Sequence, residues 1–472
     1  MAHISGNSTE KPSESNRLRQ QFQLETRNIR NNDRGLRKNA LKSLYSAFIA
    51  MDLNCDIVLI FFLEDLEEPL ISISAGDSLE KCRELALSLL HIFTEAASKF
   101  HTKIADACMV RVSSDFIDVC SQRIGVIPFP EASEEIRTNL LDTFLIIVKD
   151  IRCAEQLNTG LGKVITIASR SLTDASPQVK QRTAAVVGEV SRNMTLKPFI
   201  HLYMTQLLNP LLENILHQRA KVRQKTISAL CAVINACTTS GDLQQLEKIV
   251  RNKALPLMKK CCYDNSSVVR KTLYEQVSFL ASSIPINIYE PDLLLILLSG
   301  ISDQAKEIQY FVLNLIESIA QKNSCDSEDG ESFESENFCE NLIFQEPFLK
   351  RPSKTSRMLF DRRKNEILSF ILQQCQDWTT EGRIRGLLQL QSFLVFVENR
   401  IVTRLGEIIN VLVHSLMDDD DEVVSFAESC VKLVDQYMRR SDILFYLEPL
   451  SSDPSKPGSI KMHQLLRDTK DK

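Results

Sequence analysis

A short phrase returns along this chain at intervals of roughly forty to fifty residues. It consists of an acidic or amide residue, a few small polar residues, a β-branched residue, a basic residue or Gln, and then an apolar run. The clearest copies run from Asp174 to Lys180, from Asp264 to Arg270 and from Asp303 to Gln309. Looser copies end at Arg83, Arg137 and Arg223, and a first unit opens at Leu36 and Arg37. Markers at 37, 83, 137, 180, 223, 270 and 309 stand about 39 to 54 residues apart, the length of a unit made of two helices. A unit of that size cannot bury its apolar face alone, so the units must stack into a solenoid.

Each phrase reads as the turn before the second helix of a pair. Asp174 and Asp264 can accept hydrogen bonds from the free N–H groups of that helix's first turn, and Pro177 fits there because it has no N–H to lose. Apolar residues then recur at helical spacing: Val179, Val186, Val187 and Val190; Ile227, Leu230, Cys231 and Ile234; Val269, Leu273, Val277 and Leu280. Stretches 199–216 and 243–258 supply first helices, and their internal prolines, Pro210 and Pro256, predict bends. After Gln309 the next markers are Arg385 and Ser425, and the oversized interval holds a serine-rich acidic stretch that cannot bury enough apolar surface to fold. The expected fold is all-α, a right-handed superhelical α-solenoid of about nine or ten HEAT/armadillo-like helix pairs. Its expected divisions are a disordered tail over 1–16, an array over 17–322, a disordered acidic insertion over 323–357, further repeats over 358–450 and a polar tail over 451–472.

Composition narrows function by exclusion. With 56 basic and 61 acidic residues the net charge is −5, which offers no global field for nucleic acid. The 13 cysteines lack a CxxC pair or a framework spacing, so they read as reduced core residues of a cytosolic or nuclear chain. The stretch 1–16 has no apolar h-region, and the longest apolar runs, 57–63 and 293–298, are too short to cross a bilayer. No membrane role is expected, and the sequons at Asn7, Asn193 and Asn265 should stay unmodified. No set of groups converges as an active site: there is no GxSxG, HExxH or zinc-spaced Cys/His cluster. The segment 159–163 lacks the glycine spacing of a phosphate loop, and Val164 replaces its hydroxyl residue. The run Asp418 to Asp421 lacks the alternate ligands, central Gly and distal Glu of a calcium loop. We therefore expect no enzyme, no cofactor and no metal.

What remains as candidate site is the turn itself: Asp77, Arg83, Arg137, Asp174, Lys180, Arg223, Asp264, Arg270, Asp303 and Arg385. Cations gather at second-helix starts, notably Lys180 with Arg182, Arg219 with Lys221, Arg223 and Lys225, and Arg270 with Lys271. Pairing each with an acid of the neighbouring repeat would form a ladder along the stack; the alternative is a basic ridge for an acidic partner such as a tubulin tail or nucleic acid. His217 occupies a turn position filled elsewhere by Asp, which suits a structural role. Cys261 and Cys262 read as packing residues, and Trp378 offers at most one aromatic anchor.

The order of the phrases is more specific than any one of them. The segments 76–90, 211–234, 263–277 and 293–309, followed by 376–390 with Asp377, Trp378, Arg383 and Arg385, resemble successive repeats of the dynein axonemal assembly factor 5 (HEAT repeat-containing protein 2) family. The resemblance runs from about Asn32 to Leu450 and implies a non-enzymatic cytoplasmic scaffold for preassembly of axonemal dynein arms; a monomer is expected. It implies dynein intermediate or heavy chains and chaperones or co-chaperones as partners, and a family chain nearly twice as long as this one. A transport or cytoskeletal adaptor, karyopherin-like or tubulin-binding, is the competing expectation.

Overall fold

The computed structural model describes residues 14–322 and 344–468, apart from 52, 54, 239–242, 284–289, 345 and 454. Every regular element among them is a helix. The helices pair into an α-solenoid, divided into two compact units, Met1–Val250 and Arg251–Lys472.

In the first unit the second helices are α1 (Arg34–Ile49), α2 (Glu80–Lys99), α3 (Glu134–Lys149), α4 (Pro177–Arg192) and α5 (Ala220–Cys237). Each packs on the next: α1 on α2, α2 on α3, α3 on α4 and α4 on α5. The cause is the stripe visible in the sequence, since Val179, Val186, Val187, Val190, Ile227, Leu230, Cys231 and Ile234 are all buried. Removing that apolar area from water is what holds one repeat to the next.

First helices are less regular than second helices. The helix Asp56–Phe61 passes through a π-helical turn, Phe62–Leu66, into Glu67–Gly76. Two others begin with 3-10 turns, Ile151–Cys153 and Lys197–Tyr203. Such changes of winding let a helix follow a curved stack. Pro210 lies inside Met204–Asn214, and Pro256 lies inside the continuous helical run of Leu243–Ile249, the π-helical turn Val250–Ala254 and Leu255–Cys261, so both prolines fall within first helices as expected.

In the second unit the second helices are α6 (Ser267–Ser283), α7 (Lys306–Lys322), α9 (Thr380–Val397) and α10 (Asp421–Tyr437). Val269, Leu273, Val277 and Leu280 form the buried stripe of α6. Between α7 and α9 stands an additional short helix, α8 (Lys354–Asp361), which touches both. A further helix, α11 (Gly458–Asp468), packs on α10.

Three expected boundaries change. Helix formation at the N-terminus begins at Glu14, inside the expected tail, while residues 1–13 lie outside the described residues. The expected insertion over 323–357 ends too late: residues 323–343 lie outside the described residues, but Phe348, Ser356 and Arg357 are already buried in the second unit. Its acidic run stops at Glu340, and the following Phe348, Leu359 and Phe360 supply enough apolar surface to fold. The expected tail over 451–472 contains α11, anchored by Met462 and Leu466, which are buried.

Gly458 makes that last packing possible. A Cβ there would lie 1.9 Å from the carbonyl oxygen of Val413, closer than any side chain permits. We expect Gly458→Ala to push the start of α11 off the helix Leu405–Ser415, which carries Val413, at a cost of about 1–3 kcal/mol, read as faster proteolysis after residue 450 with the midpoint of the first unit unchanged.

Candidate interaction surface on the repeat turns

The recurring phrase folds as one hydrogen-bonded module. Its first residue turns its side chain back to accept the backbone N–H two residues on: Asp77 from Leu79, Glu131 from Ser133, Asp174 from Ser176, Asp264 from Ser266, Asp303 from Ala305, Asp377 from Thr379 and Asp418 from Asp420. This is the turn that short acidic side chains favour. Six residues later a donor side chain reaches back to the carbonyl of that first residue, as in Arg37 to Asn31, Arg83 to Asp77, Arg137 to Glu131, Arg223 to His217, Arg270 to Asp264 and Arg383 to Asp377. The donor stands about one helical turn into the second helix, so it projects back over the turn it closes.

The same guanidinium also spans to the next repeat. Arg37 Nε lies 2.7 Å from Asp77, Arg83 2.8 Å from Glu131, Arg137 2.8 Å from Asp174, Arg270 2.6 Å from Asp303 and Arg383 2.7 Å from Asp418. Arg83, Arg137, Arg270 and Arg383 each place two guanidinium nitrogens on a carboxylate already fixed by a backbone N–H, a strong form of charge-assisted bond, while Arg37 meets Asp77 through Nε. Glu131 is fully buried and also receives Arg123 at 2.6 Å. Burial pushes its carboxyl upward, but the bonds from Arg83 and Arg123 outweigh this and hold it below the usual glutamate range. Its hydrogen bond to Arg83 raises that guanidinium in turn.

The expected residues thus divide by role. Arg137 with Asp174 and Arg270 with Asp303 are brought together directly, while Asp77 and Arg83 pair with Arg37 and Glu131. Arg223 closes its own turn on His217 and Gln218. Lys180 reaches no acid; its ammonium donates to Asn214 at 2.8 Å, and Asn214 is held in turn by the carbonyls of Leu172 and Pro210. Arg385 is not the rung of its repeat. That place belongs to Arg383, six residues after Asp377, whereas Arg385 pairs with Glu381 and lies over the Tyr263 ring at 4.0 Å. Counting from Asp418 likewise puts the rung position at Val424, not Ser425.

Two features escaped the sequence. Glu398, at the end of α9, is buried and takes Arg351 at 2.6 Å and Arg357 at 3.1 Å, while Phe348 and Phe360 pack on Phe396 beside it. This clamp seats α8 in the array. Glu398 also has a φ of 50°, a backbone region that costs a side-chain-bearing residue energy. Nothing local in the sequence marks it, because its partners lie more than 40 residues away.

The turn edge of the second unit also opens into a cleft of about 760 Å³ that Asp377, Arg383, His414, Asp418, Lys456 and Gly458 line. Next to Asp377, Trp378 stands 91% exposed, and Met417 is half exposed at the cleft wall. Among the described residues no three His, Cys, Asp or Glu side chains are grouped to hold a metal, and no helix is long and apolar enough to cross a membrane. Gly160 joins two helices, with no strand before it to form a phosphate loop, and Lys163 pairs with Asp118. Asp418 is a ladder acid and Asp420 caps α10. Cys261 and Cys262 are both buried, and burial lifts the Cys262 thiol to about 12.

Residues 28–330 match the family described as dynein axonemal assembly factor 5-like, TPR repeats, and residues 345–456 match the dynein axonemal assembly factor 5 HEAT-repeat domain. The chain belongs to the dynein axonemal assembly factor 5 family. Among its relatives, the dynein axonemal assembly factor 5 of Xenopus laevis is 24% identical over 421 residues, 85% of this chain and 45% of that protein. The Homo sapiens protein of the same name is 22% identical over 410 residues, 83% of this chain and 44% of that protein. The chain therefore spans less than half the length of these family members. A designed armadillo repeat protein is 16% identical, with a TM-score of 0.39 over 54% of this chain and 98% of the designed one.

Proposed function

We propose that this member of the family is a non-enzymatic cytoplasmic scaffold for the preassembly of axonemal dynein arms, holding dynein chains alongside chaperones. The observation that carries the reading is the family match, which extends from residue 28 to residue 456 with one short interruption. The fold suits such a role, because stacked helix pairs expose a row of inter-helix turns to partners. The Trp378 edge of the second unit is the docking surface we favour for a dynein chain.

Pull-down with the full chain from cells building motile cilia or flagella should recover dynein intermediate or heavy chains, and depletion should leave axonemes without arms. Normal arms after depletion would end the reading, and recovery of a small GTPase or of tubulin dimers in place of dynein would move the chain to transport or cytoskeletal adaptors. Trp378→Ala should lower dynein recovery roughly tenfold, in line with loss of an aromatic anchor, and leave the melting temperature unchanged because the ring touches little of its own chain.

A further inference from the structure

In the first unit the ladder runs cation to carboxylate through Asp77, Glu131 and Asp174, and then fails at His217. Lys180 arrives at that turn from α4 and finds the neutral oxygen of Asn214. The following stretch, at the start of α5, adds Arg219, Lys221 and Lys225, all exposed. Among the described residues none of these three side chains makes an ion pair, and Glu213, exposed on the preceding helix, makes none with them either. Lys221 and Lys225 are four residues apart on one helix face, a like-charge spacing that works against the helix. Burial and then the charges of Lys180, Arg223 and Arg219 lower the His217 pKa, and an imidazole in either protonation state supplies no negative charge to balance them.

A fold that matches the rungs Arg37, Arg83, Arg137, Arg270 and Arg383 with carboxylates gives Lys180 only the neutral oxygen of Asn214. We propose that this turn is the docking surface for an acidic peptide segment of a partner protein, whose carboxylates take the place of the absent ladder acid beside Lys180, Lys221 and Lys225. A short acidic segment fits better than nucleic acid or a membrane for two reasons. The cluster of Arg219, Lys221 and Lys225 is confined to one turn, and the chain around it carries a net charge of −5 that repels an extended polyanion beyond the patch. The patch also lacks the interleaved aromatic side chains on which unpaired bases stack. The inference rests on charge complementarity within the first unit, so it holds whichever protein the family scaffold carries.

The test is fluorescence anisotropy of a labelled oligoglutamate peptide with the purified full chain at low salt. Binding should weaken steeply as salt rises, and K221E with K225E should reduce affinity roughly tenfold or more, as expected when like charges face each other across an interface. K221Q with K225Q should fall between, with melting curves confirming that both variants fold. K99E, at a cation already paired with Glu95, should bind as the parent does. His217→Asp is the sharper probe: restoring the acid should raise the melting temperature and weaken peptide binding at once. Unchanged binding in K221E with K225E, unchanged binding in His217→Asp, or tighter binding of single-stranded RNA or phosphatidylserine vesicles than of the peptide would overturn the proposal. A failed dynein pull-down would leave it standing, and a failed peptide assay would leave the assembly role standing.

Discussion

Replacing Glu131 by Gln should destabilise the first unit by about 3–5 kcal/mol, the range for breaking a buried ion pair at one partner. Arg83 and Arg123 are nearly as buried as the acid, at 11% and 14% side-chain exposure, so without the carboxylate two guanidiniums are left in a site with no anion. Urea unfolding should show the loss as a shifted midpoint, and Lys99→Ala, which removes an exposed pair, should change it by less than about 1 kcal/mol. The pH dependence follows from the same site. The folded carboxyl of Glu131 lies below its ordinary value of 4.5, so its contribution is complete above that pH and is lost as pH falls through the lowered value. The parent should therefore lose stability on acidification below about pH 4.5, and the Gln variant should lose less. An equal acid response in both would remove Glu131 from the account.

Glu398→Ala should have a similar effect, about 3–5 kcal/mol, confined to the second unit. It frees Arg351 and Arg357 together and unseats the segment that holds α8 between α7 and α9. Hydrogen exchange followed by mass spectrometry should show residues 354–404 exchanging faster while residues 80–192 keep their protection. Glu398→Gly separates charge from backbone. It loses the same ion pairs but relieves the positive φ, so it should be more stable than the Ala variant by about 1 kcal/mol. Equal stabilities of the two would mean that the backbone at 398 carries no strain.

Much of the array was legible because its rules are local. A helix pair fits within about 45 residues, and the stripe of Val179, Val186, Val187 and Val190 must be buried wherever the next repeat stands. The Asp-to-backbone turn also depends on residues only two apart, which is why Asp174, Asp264 and Asp303 could be picked from the phrase itself. Register was harder. A phrase with two arginines at 383 and 385 does not say which one lies six residues from the turn's first carboxylate until that carboxylate is fixed at Asp377. The partners of a rung were harder still, since Arg83 finds Glu131 at a turn containing two prolines, Pro128 and Pro130, that does not match the phrase closely.

The sequence by itself determined that this chain is a stack of helix pairs, where most of its turns fall and to which family it is similar, because periodic apolar burial and turn chemistry act over a few residues. Only the tertiary structure decided where the ladder closes and where it fails. Whether a cation meets Glu131, Asn214 or Glu398 depends on how neighbouring repeats are seated, and that seating is set by side chains about 35 to 50 residues away in the chain. The structure likewise gave α8 and α11 their places, since the apolar residues that fold them gain nothing from their own short segments and are buried only against helices already stacked.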